Sequence, residues 1–177
     1  MRKILVPAIF CVMACLGAGS AQAQTATQDI NLTANVASYC TINNAVTGTV
    51  INAAIPVTNG IVDVTPIPNT IASVACNNLA DVVATSLSGG VTTGTAPVSG
   101  ATNIINYTGV ATFGGATSTI NTGTAVGAAG NEAGNTATTT GAATGDLVVT
   151  ITPAQPALPL TPSTAYADTL RVTLTAQ

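Results

Sequence analysis

Thr169-Leu170-Arg171-Val172-Thr173-Leu174-Thr175 is the stretch on which the fold is decided. Apolar side chains recur at every second position, with Arg or Thr between them. That is the period of a pleated strand with one face toward a core and one toward water. Leu170, Val172 and Leu174 fall on one side, Arg171 and Thr173 on the other.

The same alternation runs through Ile30-Asn31-Leu32-Thr33-Ala34-Asn35-Val36 near the start of the 177-residue chain. Ile71-Ala72-Ser73-Val74-Ala75-Cys76 is more evenly apolar, the pattern expected of a central strand covered on both faces. Asp81–Leu87 is expected to return beside it as a hairpin partner, ended by Gly89-Gly90. Leu147-Val148-Val149-Thr150-Ile151 makes another strand, with Pro153 as its stop. Weaker candidates are Thr49–Ile55, Ile61–Val64 and Asn103–Phe113. Thr122–Gly145 is a low-complexity run of Gly, Ala, Thr and Asn with few side chains able to fill a core, and is expected to be a loop or a flexible edge hairpin. No window holds an apolar period of 3.6. Short strands with frequent Gly, Pro and Asn turns predict an all-β chain, a sandwich rather than a barrel. A Thr-rich solenoid would need a fixed repeat period, and none is present.

Composition narrows the chemistry. The chain has three basic residues, no His, no Trp and 5% charged residues. Arg171 is the only basic residue after Lys3, which excludes binding to a nucleic-acid backbone. Without His, the commonest acid–base group and metal ligand is missing. No Lys beyond residue 3 is available to activate a serine. Asp29, Asp63, Asp81, Glu132, Asp146 and Asp168 are scattered, without a close pair or a calcium-loop spacing, and are expected to solvate the surface and cap turns. Gly89-Gly90-Val91-Thr92-Thr93-Gly94 lacks the Lys of a phosphate loop. The expectation is a protein that is not an enzyme, with no catalytic residue, no metal and no cofactor.

Residues 1–23 have the form of a secretory signal. Arg2-Lys3 precedes an apolar run from Ile4 to about Leu16, and Ala21-Gln22-Ala23 fits an A-x-A cleavage site. A competing reading makes Cys15 a lipidated residue. Cleavage after Ala23 removes Cys11 and Cys15 and leaves Cys40 and Cys76. In an exported chain such a pair points to a disulfide, with two buried free thiols as the alternative.

Three stretches resemble the spore coat protein U-like domain, the subunit family of archaic chaperone–usher pili. They are Asn31–Ile42, an alternating strand running into a first cysteine; Ile71–Cys76, a second-cysteine strand; and Tyr166-Ala167-Asp168-Thr169-Leu170-Arg171-Val172-Thr173-Leu174, similar to the family's closing Tyr-x-Asp-Thr motif and final strand. Tyr107 falls where a mid-domain Tyr is usual. The sequence departs from the pattern at Val50–Pro56, where a Phe-Gly element is usual, and at Ala165, where Gly is common.

The resemblance implies an incomplete immunoglobulin-like sandwich (39–177) completed by strand donation. Residues 24–38 would be the donor extension, with Ile30, Leu32, Ala34 and Val36 entering a neighbour's groove. Tyr166, Leu170, Val172 and Leu174 would belong to the closing strand and acceptor groove. Implied partners are other pilus subunits, a periplasmic assembly chaperone and an outer-membrane usher. The implied route is through the periplasm to the surface of a Gram-negative bacterium, in the service of adhesion or biofilm formation. The alternative is a self-contained secreted β-sandwich that coats a surface or binds sugar without polymerising.

Overall fold

The structure, a computed structural model, describes residues 31–43, 53–123 and 132–177. Val36–Gln177 make up one compact unit. Its described strands are β1 (Cys40–Thr41), β2 (Val57–Thr58), β3 (Ile61–Val62), β4 (Ile67–Cys76), β5 (Ala80–Ser86), β6 (Val91–Thr92) and β7 (Ile104–Ile105). They continue as β8 (Tyr107–Phe113), β9 (Ala116–Asn121), β10 (Glu132–Ala133), β11 (Ala137–Thr138), β12 (Ala143–Pro153) and β13 (Leu170–Ala176). The fold is all-β and consistent with a sandwich. One antiparallel sheet runs β1-β4-β12-β8-β9. In the other, β5 pairs with β13 on one side and with β10 and β11 on the other.

The core lies between them. Val82 and Ala84 of β5 meet Ala111 and Phe113 of β8, Ile120 of β9, Leu147 and Val149 of β12 and Val74 of β4. Strand β5 shows the cleanest period of two, with Ala80, Val82, Ala84 and Ser86 buried and the residues between them half-buried. Cys40 and Cys76 are directly opposite on β1 and β4 and form a disulfide, with Cα atoms 4.1 Å apart. Closing a loop of 36 residues in the unfolded chain stabilises by about 4 kcal/mol in the chain-entropy account.

Two sequence expectations are corrected. Asp81–Leu87 is a strand but not the hairpin partner of Ile71–Cys76, because β4 and β5 belong to different sheets. The chain arches across the core at Asn77-Asn78-Leu79, so that Val74 and Cys76 face Ala80 and Val82 through their side chains instead of pairing edge to edge. Nor is β4 covered on both faces, since Ala72 and Ser73 are exposed. Its even apolarity has another cause. Gly145 is paired with Val74 and Leu147 with Ile71, so Ala72 and Ser73 together oppose one residue, Asp146. This β-bulge, with Ser73 in the left-handed region (φ 59°), shifts the alternation by one residue and turns both Ile71 and Val74 inward.

Smaller differences follow from edges. Pro68 lies within β4, opposite Thr150 of β12, where β1 does not reach and the strand has a free edge among the described residues. Pro153 does not stop β12 before itself but is its last residue, beyond the point where β4 ends opposite Ile151. Of Thr49–Ile55, residues 49–52 lie outside the described part and 53–55 form no strand. Ile61–Val64 narrows to β3, joined to β2 by an Asn59-Gly60 turn with both residues at positive φ. Asn103–Phe113 divides into β7 and β8.

The described part of Thr122–Gly145 is better ordered than its composition suggests. Residues 132–139 lie along one side of the sandwich. Gly134 N–H donates to Ala84 O (2.8 Å) and Asn135 N–H to Thr119 O (3.2 Å), bridging β5 and β9. Ser118 Oγ donates to Asn135 O (2.6 Å) and accepts from Ala84 N–H (3.0 Å). A Cβ on Gly134 would land on the Thr119 carbonyl, so the close approach requires glycine there.

Candidate functional site

The side of the sandwich opposite residues 132–139 is built differently. Strand β13 is bonded to β5 along one edge only; among the described residues nothing pairs with its other edge. The direction of its backbone groups follows from the ladder. Leu87 N–H donates to Thr169 O (3.0 Å) and Gln177 N–H to Leu79 O (2.9 Å). In an antiparallel pair such bonded positions recur every second residue. Arg171, Thr173 and Thr175 therefore turn their backbone groups toward β5. Leu170, Val172, Leu174 and Ala176 turn theirs toward the open edge.

The same four residues turn their side chains inward. Leu170, Val172 and Leu174 are half-buried and pack on the core cluster, as do Cys40, Ile42 and Ile71 at the facing edge of the other sheet. Strand β1 approaches β13 across this gap. The result is a strip in which partly covered apolar side chains and unpaired backbone donors and acceptors belong to the same residues. Chemically it is a template for one more strand, with ladder bonds from the even-numbered residues and apolar contacts beneath them.

The strip widens where β13 begins. A cleft of about 650 Å³ opens there, with Leu170, Ile105, Tyr107, Ile151, Leu160 and Tyr166 in its wall. Tyr166 precedes β13 rather than lying in it. Its hydroxyl donates to the carbonyl of Thr161, five residues upstream, at 2.9 Å, a side-chain-to-backbone tie of the tyrosine-corner kind.

Asp168 fixes the start of β13. Its Oδ2 accepts from Ser86 Oγ (2.6 Å) and from the Tyr107 hydroxyl (2.7 Å), and its Oδ1 from Ser88 N–H (2.9 Å) and Thr169 N–H (2.7 Å). Ser86 Oγ in turn accepts from Gly89 and Gly90 N–H. One carboxylate thus ties β13 to the end of β5 and, through Tyr107, to β8 in the other sheet. Tyr107 is 3% exposed, and that burial first, with the neighbouring Asp168 carboxylate adding to it, pushes its hydroxyl pKa well above the usual tyrosine value. The Tyr-x-Asp-Thr motif was legible; its partners Ser86 and Tyr107 were not, because a Ser in a strand and a Tyr far away carry no spacing signal.

Ile30 lies outside the described residues. Leu32, Ala34 and Val36 are exposed in a segment, 31–39, that carries no strand; Leu32 is 90% and Val36 74% exposed. From residue 37 onward that segment is held. Asn77 Nδ2 donates to Ala37 O (2.9 Å), Asn77 Oδ1 accepts from Tyr39 N–H (2.8 Å), and Asn78 Nδ2 donates both to Ser38 Oγ (3.2 Å) and to Gln177 O (2.7 Å). Asp63 and Asp81 are tied to nearby threonines. Asp63 Oδ1 accepts from Thr65 N–H (2.9 Å), and the Thr65 side chain and backbone together hold its pKa below the ordinary aspartate value. Asp81 accepts from Thr138 Oγ1 (2.6 Å). Among the described residues no three His, Cys, Asp or Glu side chains converge as metal ligands would. No family model, no curated protein and no solved structure matches this chain.

Proposed function

We propose that this chain is an exported structural subunit of an archaic chaperone–usher pilus or surface coat, polymerising by donor-strand exchange and serving adhesion or biofilm formation. The observation that carries the reading is the open edge of β13, where Leu170, Val172, Leu174 and Ala176 combine half-covered apolar side chains with backbone groups that have no strand partner among the described residues. An edge of that kind invites a further strand, and native sheets seldom leave one bare. The contrast with the other side, bridged by residues 132–139, adds support.

The segment with the matching pattern is the leading extension. Leu32, Ala34 and Val36 alternate with Asn31, Thr33 and Asn35 and are exposed, so a second copy has them available. Leu32 and Val36 each contribute roughly 1.5–3 kcal/mol when buried in a neighbour's groove. A periplasmic chaperone would occupy the edge before the neighbour does, and an outer-membrane usher would exchange the two. The Cys40–Cys76 disulfide suits an oxidising compartment.

Deletion of residues 24–36 tests this directly. The truncated chain, co-expressed with the assembly chaperone, is expected to accumulate as a one-to-one complex that forms no fibre, while its own groove still accepts a synthetic peptide of residues 24–38. Fibres formed as readily by the truncated chain sink the reading. So does a full-length chain that purifies without chaperone as a stable monomer and takes up no peptide.

A further inference from the structure

Asn-x-Thr, the acceptor pattern of N-linked glycosylation, occurs at Asn31-Leu32-Thr33 and at Asn106-Tyr107-Thr108. The structure separates them. Transfer requires the Asn side chain, and the Thr hydroxyl two residues on, to be reached together by an enzyme that grips the peptide in an extended form. At the second position this is impossible without unfolding. Tyr107 is 3% exposed and bonded to Asp168, its N–H is held by Thr122 Oγ1 (2.9 Å), Asn106 O accepts from Ala154 N–H (2.8 Å), and Thr108 is in the β8 ladder opposite Asn121 and Thr152. At the first position all three residues are exposed and no ladder holds them.

We infer that Asn31 is a site of N-glycosylation. The donor is a polyprenyl-pyrophosphate-linked oligosaccharide and the catalyst an oligosaccharyltransferase on the export side of the membrane. Asn31 Nδ2 loses one proton and bonds to the sugar's C1; the C1–O bond to pyrophosphate breaks, and the lipid pyrophosphate leaves with the electron pair. Alternation keeps the two uses of the segment apart. Asn31 and Thr33 point to one side of an extended strand and Leu32 and Ala34 to the other, so a glycan leaves the apolar side free. The inference rests on the export half of the proposed function and is independent of polymerisation.

The test expresses the full chain in a bacterium carrying a lipid-linked-oligosaccharide pathway, its transferase and an exported control acceptor. The expected result is a glycan mass on the peptide containing Asn31. It disappears in Asn31→Gln and Thr33→Ala, returns with Thr33→Ser, and is unchanged in Asn106→Gln. An unmodified Asn31 in an exported chain, beside a modified control, overturns the inference, as does glycan on Asn106 of the folded protein. A parallel arm mixes purified full chain with solubilised transferase and lipid-linked donor. Because it needs no export, modification there alongside a chain that stays in the cytoplasm identifies export as the part that fails; no modification in either arm overturns the site.

Discussion

Asp168 collects four donors on two oxygens, and the two hydroxyls among them, on Ser86 and Tyr107, lie in or beside the core. Removing the acceptor strands both. A hydrogen bond to a charged group is worth roughly 1.5–3 kcal/mol, so Asp168→Ala is expected to lower unfolding free energy by about 3 kcal/mol or more, measured by urea denaturation at neutral pH. Tyr107 adds an alkaline signature. Its native pKa is raised, so above about pH 10, the ordinary tyrosine value, the unfolded chain releases this proton while the folded chain keeps it. The folded state then holds more protons, and stability falls as pH rises. Tyr107→Phe, which costs about 1–3 kcal/mol at pH 7 through the lost bond to Asp168, is expected to flatten the fall between pH 10 and 12. Parallel stability–pH curves for the variant and the parent would refute that account.

At the scale of elements, strands with one-sided alternation were legible and their partners were not. β13 and the core of β12 follow from period two because their inward residues are large: Leu170, Val172 and Leu174, Leu147 and Val149. β9 is not legible in the sequence because its inward residues begin with Ala116 and Ser118, which give little hydrophobic contrast, although the Gly114-Gly115 turn before it has both residues at positive φ. The β4 bulge put Ile71 and Val74 on one face by a local backbone change that periodicity treats as two-sided burial. The β4–β5 arch is not readable from sequence because an Asn-Asn corner looks the same whether strands pair or face one another, and here the asparagines are occupied by residues 37–39 and 177. Composition was least informative for 132–139, where docking rests largely on backbone and polar side-chain hydrogen bonds, with Ala137 the one residue of the segment packed on the core cluster. Gly134→Ala checks that mechanism. The added methyl must displace the Thr119 carbonyl, an overpacking cost of about 1–3 kcal/mol, and is expected to speed amide exchange at residue 134 and Asn135 while Arg171 and Thr173, bonded to β5 on the other side, are unaffected. Unchanged exchange at 134 and 135 would mean the strap is held by something else.

For the whole molecule, the decisive question is whether one side chain matters to assembly without mattering to the fold. Leu32 offers that separation, being 90% exposed and outside the strands of the Val36–Gln177 unit. Replacing an exposed Leu by Asp changes monomer stability by no more than about 0.5 kcal/mol, as surface substitutions do. If the same side chain enters a neighbour's groove, Leu32→Asp forfeits the roughly 1.5–3 kcal/mol of its burial and adds the larger cost of taking an unpaired carboxylate out of water. Each 1.4 kcal/mol is tenfold in an equilibrium, so the expected loss of subunit association exceeds a hundredfold, read by light scattering at matched concentrations, with the urea midpoint unmoved. The two readouts separate the alternatives. A lowered midpoint would make Leu32 part of its own domain's core, and an unchanged association constant would mean that Leu32 enters no neighbour's groove. Leu174→Asp on the accepting side cannot replace this experiment, because Leu174 packs on the core and its loss would weaken fold and assembly together.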